Sequence, residues 1–282
     1  MKKLFYFLLA GIGILHAQNQ KFVYEYKFIP DSTNTSDIKT EITHLEVTPK
    51  GSLFYGYVAY KSDSIEKADL EKQLRTTGMV NVKSGMRKGL FRDKILKTYP
   101  DFKTMQESNA TGKPLKITDD RKIDWKISSD KQKIGNYDTQ KATAYFAGRK
   151  WTAWFTTEIP IQDGPYKFHG LPGLIVKVED SNKSHAFELK GVSKLTTPFN
   201  EEAVFSRKTI DVPYSQYVKI YKSYRQDPTA QFKQMISSGI ISNMKDTSGN
   251  PIDVNKMLKE REIKETERLK KDNNILELDL LK

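Results

Sequence analysis

Residues 164–175 read Gly-Pro-Tyr-Lys-Phe-His-Gly-Leu-Pro-Gly-Leu-Ile. Glycines and prolines alternate here with aromatic and aliphatic side chains. Glycine removes the steric cost of positive φ, whereas proline fixes φ and removes an amide donor. Such a stretch follows one backbone path, so it is a shaped corner between two strands and not a slack linker. Tyr166 and His169 are the side chains this corner could present to a ligand.

The flanks of the corner are β-like. Residues 148–157, with Trp151-Thr152-Ala153-Trp154-Phe155 at their centre, lead into it, and residues 174–179 and 185–195 lead away around an Asp180-Ser181-Asn182-Lys183 turn. In a strand, Trp151 and Trp154 point to opposite faces, so either one is core and the other is free for a groove, or both are core in a sheet covered on each side. Upstream, residues 21–29, 40–48 and 52–61 alternate apolar and polar side chains, with a turn at Pro49-Lys50-Gly51, and read as an antiparallel meander. Residues 64–75 change to a partly helical period that Ser64 could cap. Alternation returns over 89–98, 113–127 and 132–147.

Beyond residue 200 the character shifts. Residues 214–225 place Tyr214, Tyr217, Tyr221 and Tyr224 at helical spacing after Pro213, residues 229–237 read as a second helix, and residues 253–273 suit a charged, solvated helix or a frayed tail. The expected fold is mainly β (α+β): a curved antiparallel sheet or open half-barrel with a short inserted helix and a helical C-terminal segment. The expected partition is a leader at 1–17, a β-rich domain over 18–200 and a helical appendage over 201–282, packing on or extending from that domain.

The leader reading rests on Lys2 and Lys3 before an apolar run from Leu4 to Leu15, closed by Leu15-His16-Ala17, with cleavage after Ala17. That run is shorter than the roughly 18–20 residues a spanning helix needs. Export, to the periplasm or beyond, is therefore expected, with no transmembrane segment in the mature chain. The 282 residues carry a formal charge of +12, which falls to +10 when Lys2 and Lys3 are removed. A basic exported chain can meet anionic glycans or headgroups. Nucleic acid is not an expected partner, because no recognition motif accompanies the charge. The absence of cysteine excludes disulfides, thiolate metal sites and cysteine nucleophiles.

Chemistry-bearing patterns are sparse. His44, His169 and His185 have no metal-binding spacing, so no metal site is expected. There is no G-x-S-x-G elbow, and Asp119-Asp120 and Glu201-Glu202 would diverge on a strand. Gly170-Leu171-Pro172-Gly173 lacks the amides and the following Lys-Ser/Thr of a phosphate cradle. No cofactor and no catalytic set is expected from these patterns. A curved sheet with aromatic residues on its concave side, lidded by the tyrosine-rich helix, would instead form an apolar groove. Trp151, Trp154, Phe155, Tyr166 and His169 are the groove candidates.

The blocks Lys133 to Thr143, Trp151 to Thr156, Glu158-Ile159-Pro160, Gly164-Pro165 and Gly170-Leu171-Pro172-Gly173-Leu174-Ile175 occur in order. Over residues 130–195 the chain resembles the GLPGLI family, exported proteins of Bacteroidetes-type bacteria named for that hexapeptide. The resemblance implies an exported, strand-rich protein and supplies no catalytic residue. Where many relatives would carry a cysteine, this chain has Thr139. The functional expectation is an envelope protein that binds an apolar or peptide ligand, or a protein partner, without catalysis. Two alternatives stand beside it: a secreted hydrolase using His169 with Asp163 or Glu158, and a structural partner of an outer-membrane complex.

Overall fold

The computed structural model describes residues 19–79, 88–205, 209–241 and 251–282. The leader reading at residues 1–17 lies outside them. One 12-stranded sheet organises the chain, in the order β12-β6-β5-β4-β3-β2-β1-β11-β10-β9-β8-β7. Two antiparallel meanders build it. The first comprises β1 (Gln20–Phe28), β2 (Lys39–Thr48), β3 (Gly51–Gly56), β4 (Lys94–Thr98), β5 (Lys103–Ser108) and β6 (Leu115–Asp119). The second comprises β7 (Lys126–Ile134), β8 (Tyr137–Phe146), β9 (Arg149–Thr156), β10 (Leu174–Asp180) and β11 (His185–Lys194). They fuse where β11 pairs with β1, Tyr26 opposite Phe187. The short β12 (Ile210–Pro213) then adds in parallel beside β6. The outer strands β12 and β7 do not meet, so the sheet is open, as the expected half-barrel requires.

Alternation in the strands decides which side chains are buried. Phe22, Tyr24 and Tyr26 of β1, Leu45 of β2, Phe54 of β3, Trp151, Ala153 and Phe155 of β9 and Phe187 of β11 share one apolar cluster. The 164–175 corner folds into the same cluster through Tyr166, Phe168, Leu171, Leu174 and Ile175. Phe168 sits edge-on to Trp151 with ring centroids 4.7 Å apart, and it is fully buried. The corner therefore plugs the sheet. Gly173 explains why its sequence is restrictive: φ is +157°, and an added Cβ would lie 2.0 Å from the Thr156 carbonyl oxygen. Gly173→Ala is expected to cost about 1–3 kcal/mol, as overpacking against rigid backbone does. An unchanged urea midpoint for this variant would contradict the close approach.

Two sequence expectations need correction. The strand expected over 52–61 ends at Gly56, and α1 (Tyr57–Thr77) starts there, well before Ser64. Gly56 occupies the N-cap, and its buried stripe is Ala59, Ser62 and Glu66, small or polar residues that a hydrophobicity reading overlooks. The alternation over 132–147 is also not one strand but the β7–β8 hairpin. Beyond a short α2 (Glu201–Val204), the tyrosine-rich α3 (Tyr214–Gln226) docks Tyr214, Tyr217 and Tyr221 against Leu115, Ile117 and Val212. The helices α4 (Ala230–Ser237) and α5 (Val254–Lys271) follow, and the chain ends in a 3₁₀ turn at Leu278–Leu281. Asp253 caps α5 by accepting from the amides of Asn255 and Lys256. Among the described residues no helix is long and apolar enough to cross a membrane.

Candidate functional site

The concave side of the sheet and the helices enclose a cleft of about 1330 Å³. Its sheet wall carries Tyr26 and Phe28 of β1, and the segment before β4 contributes Phe91 and Asp93. The helical wall presents Tyr217, Tyr221 and Tyr224, one stripe of α3. The α4 and α5 helices add Phe232, Met235, Arg261 and Arg268, and residues 274–277 close the remaining side. The tyrosine stripe of α3 forms the helical side of this cleft.

The groove candidates are distributed differently. Tyr166 lines the cleft; Trp151, Trp154, Phe155 and His169 lie outside its lining. Trp151 and Phe155 are core residues, and the indole of Trp151 donates to the Phe146 carbonyl at 3.0 Å. Trp154, on the opposite face, is half-buried beneath the Lys141 ammonium. His169 stacks on Phe102 at 4.7 Å, and its Nδ1 meets the Lys167 carbonyl at 2.8 Å. None of Gly170, Leu171, Pro172, Gly173, Leu174 and Ile175 lines the cleft: Gly170 and Pro172 are exposed, and the other four are buried.

The carboxylates proposed to work with His169 are engaged elsewhere. Asp163 is fully buried and accepts from Lys97, from the Tyr99 hydroxyl and from the Gly164 amide. Lys97 also donates to the Gly164 carbonyl at 2.8 Å, so this ion pair braces the corner from beneath. Glu158 accepts from the Asp138 amide at 2.8 Å, at the hairpin end. His44 packs beside Tyr55 and Tyr57, far along the fold from His169. Among the described residues no group of three His, Asp or Glu side chains is placed to hold a metal ion.

Two polar networks position the wall formed by residues 274–277. Arg149 donates to Asp180 at 2.8 Å, to the Asn274 side chain at 2.6 Å and to the Ile275 carbonyl at 2.6 Å. His185 Nε2 lies 2.7 Å from the Asn274 carbonyl, an acceptor only, so Nε2 carries the proton. Nδ1 then accepts from the Tyr26 hydroxyl at 2.7 Å. Burial and the neighbouring Arg149 push the His185 imidazole down to about 4, which keeps it neutral. In the second network Glu277 accepts from Lys167, from the Tyr166 hydroxyl, from Arg121 at 2.8 Å and from Tyr214 at 2.8 Å. Lys167 also pairs with Asp119 at 2.8 Å, and Arg121 stacks on Tyr214 with its guanidinium 3.5 Å from the ring centre. Tyr166 reaches this network from a left-handed backbone, φ 53°, uncommon for a residue with a side chain.

The cleft also holds acceptors in need of donors. Gln106, 3% exposed, donates its amide to Asp93 at 2.6 Å, and its Oε1 has no hydrogen-bond partner. Thr111, equally buried, has an unpartnered hydroxyl. Neither residue stood out in the sequence, since Gln106 lies in a strand rich in polar side chains. Burial raises the Asp93 carboxyl to about 6, against the hydrogen bonds from Ser108 and Gln106 that lower it.

A family model described as "Protein of unknown function (Porph_ging)" matches residues 147–177, which span β9, the corner and the start of β10. No curated protein matches the chain. Among solved structures, PNGF-II in the P21 space group is similar at 14% identity with a TM-score of 0.48, over 72% of this chain. PNGF-II in the C2 space group is similar at 15% identity with a TM-score of 0.47, over 73% of this chain. This chain spans 33% of the length of each. The family match thus falls on the stretch that plugs the sheet, and the cleft is built largely from residues outside it.

Proposed function

We propose that the chain is an exported envelope protein that binds, without catalysis, a ligand with an apolar body in the cleft between the sheet and α3. One observation carries this reading: a continuous cavity of about 1330 Å³ with Tyr26, Phe28, Phe91, Tyr166, Tyr217 and Tyr221 in its walls. Ligand sites are concave, largely apolar and furnished with a few polar groups, and a typical one holds about 300–1,000 Å³. The GLPGLI-type resemblance and the leader pattern support export, and the family match over 147–177 falls within the same blocks. The partition into a β-rich domain over 18–200 and an appendage over 201–282 belongs to the same proposal. On this reading the appendage supplies the lid, and the buried contacts of Asn274 and Glu277 favour its packing on the domain.

The test uses Nile red, a neutral dye that brightens in apolar surroundings. Wild type is expected to bind it, and Ala110→Trp/Met235→Trp to weaken binding at least five-fold. Both positions line the cleft and are exposed, so bulk enters the cavity without loss of core packing. Equal binding by a folded double variant would remove the cleft as the site.

A further inference from the structure

We propose that the ligand carries a protonated amine on its apolar body, held by Asp93 with the Gln106 carboxamide oxygen beside it. The inference rests on the cleft reading and names the chemistry of its occupant. Asp93 lines the cavity, and among the described residues no lysine or arginine forms an ion pair with it. Its sequence neighbour Arg92 is exposed and donates through Nε to the Gly89 carbonyl at 3.1 Å.

The charge balance behind the cleft points the same way. Lys167 and Arg121 are the cations of the inner network, and Asp119 and Glu277 already engage both. Asp93 is a third carboxylate within electrostatic reach of Lys167, so the inner wall lacks one positive charge. A partly buried carboxylate without a countercharge is costly, and a ligand ammonium removes the cost.

The surroundings match an ammonium group in two further respects. Tyr166 and Tyr217 line the same cleft as Asp93, and aromatic faces attract cations. Gln106, fixed by its amide donation to Asp93, keeps an unpartnered Oε1 beside the same carboxylate. An ammonium has three N–H donors, which suits a carboxylate with a second acceptor close by. A fatty acid would place a carboxylate against Asp93, and a plain hydrocarbon would supply Asp93 with no countercharge.

Three probes sharing one indole body separate the heads: tryptamine, tryptophol and indole-3-acetate, each titrated calorimetrically at pH 7.5. Wild type is expected to bind tryptamine at least ten-fold tighter than tryptophol, with indole-3-acetate weakest. Asp93→Asn is expected to lose that advantage and to keep the tryptophol affinity. The variant should also be more stable than wild type at pH 7.5, since it no longer buries an ionised carboxylate.

That stability gain has a defined pH range. Asp93 is faced by Gln106 and Ser108 of β5, Tyr217 of α3, Tyr166 and Lys167 of the corner and Glu277 of the C-terminal segment. Its folded pKa of about 6 lies above the ordinary 3.8, so wild type takes up a proton on folding between those values. Wild type therefore regains stability as pH falls through that window, and the advantage of the variant shrinks.

Equal or tighter binding of tryptophol or indole-3-acetate by wild type overturns the amine assignment and leaves the cleft reading in place. A tryptamine preference that survives in Asp93→Asn overturns it as well. No binding of any probe overturns the cleft reading, and the amine assignment with it. Should the variant fail to fold, the wild-type comparison alone decides.

Discussion

Glu277→Gln is expected to lower stability by about 3–5 kcal/mol, the range for breaking one side of a buried ion pair. Glu277 is 4% exposed, and Lys167 behind it is 2% exposed, so water cannot replace the lost charge. The variant leaves Lys167 with Asp119 and Arg121 with Asp119 and the more exposed Asp279, and it removes the charge that Tyr166 and Tyr214 hydrogen-bond. With a denaturant slope of about 2–3 kcal/mol/M, the urea midpoint should fall by about 1–2 M. A shift below about 0.3 M would mean that this network contributes little.

The same group predicts a pH profile. Burial acts to raise the Glu277 carboxyl, but Lys167 and Arg121 outweigh it and hold the group below its usual range. Asp119 is treated alike: burial raises it, and Arg121 and Lys167 bring it well below. Both carboxyls therefore take up protons more readily in the unfolded chain. Their stabilisation is complete above the ordinary carboxylate range and is lost as pH falls through it towards the folded-state values. Glu277→Gln should show a shallower acid loss between about pH 5 and 3.

Lys97→Met is the second large effect, again about 3–5 kcal/mol. Lys97 and Asp163 are both fully buried, and Lys97 also donates to the Gly164 and Phe168 carbonyls. Burial pulls the Lys97 ammonium down against the raising influence of Asp163. The methionine variant fills a similar volume and strands the Asp163 charge. Lys97→Met/Asp163→Asn leaves no ionised group there, so the double variant should be more stable than Lys97→Met alone. Additive losses in this double-mutant cycle would show that the pair is not coupled.

Much of the sheet was legible because its strands alternate. Residues 21–29 show a period of two since one face of β1 meets the core, and Trp151 and Trp154 diverge for the same reason. β3 is buried at every position, so no alternation marks where it yields to α1. β5 reads Lys-Thr-Met-Gln-Glu-Ser, and Thr104, Gln106, Glu107 and Ser108 are nevertheless buried. Hydrophobicity cannot reveal a strand whose buried face is polar. Similar logic separates the two halves of the site. The tyrosines of α3 announced themselves by helical spacing, whereas Asp93 and Gln106 look like solvated residues until the cleft closes round them. Lys97 and Lys167 look like part of a solvated basic face, yet their carboxylate partners lie 66 and 110 residues away.

That last separation bears on synthesis. A chain emerging N-terminus first exposes Lys167 long before Glu277 exists to neutralise it, and Arg149 precedes Asn274 by 125 residues. Strand β1 likewise waits for β11, whose Lys194 pairs with Gln20. Contacts this distant in sequence make folding slow, because the intervening loop must be ordered first. The wall that residues 274–277 give the cleft can form only when partners 110 and 125 residues apart in sequence meet, so the cleft closes late in folding.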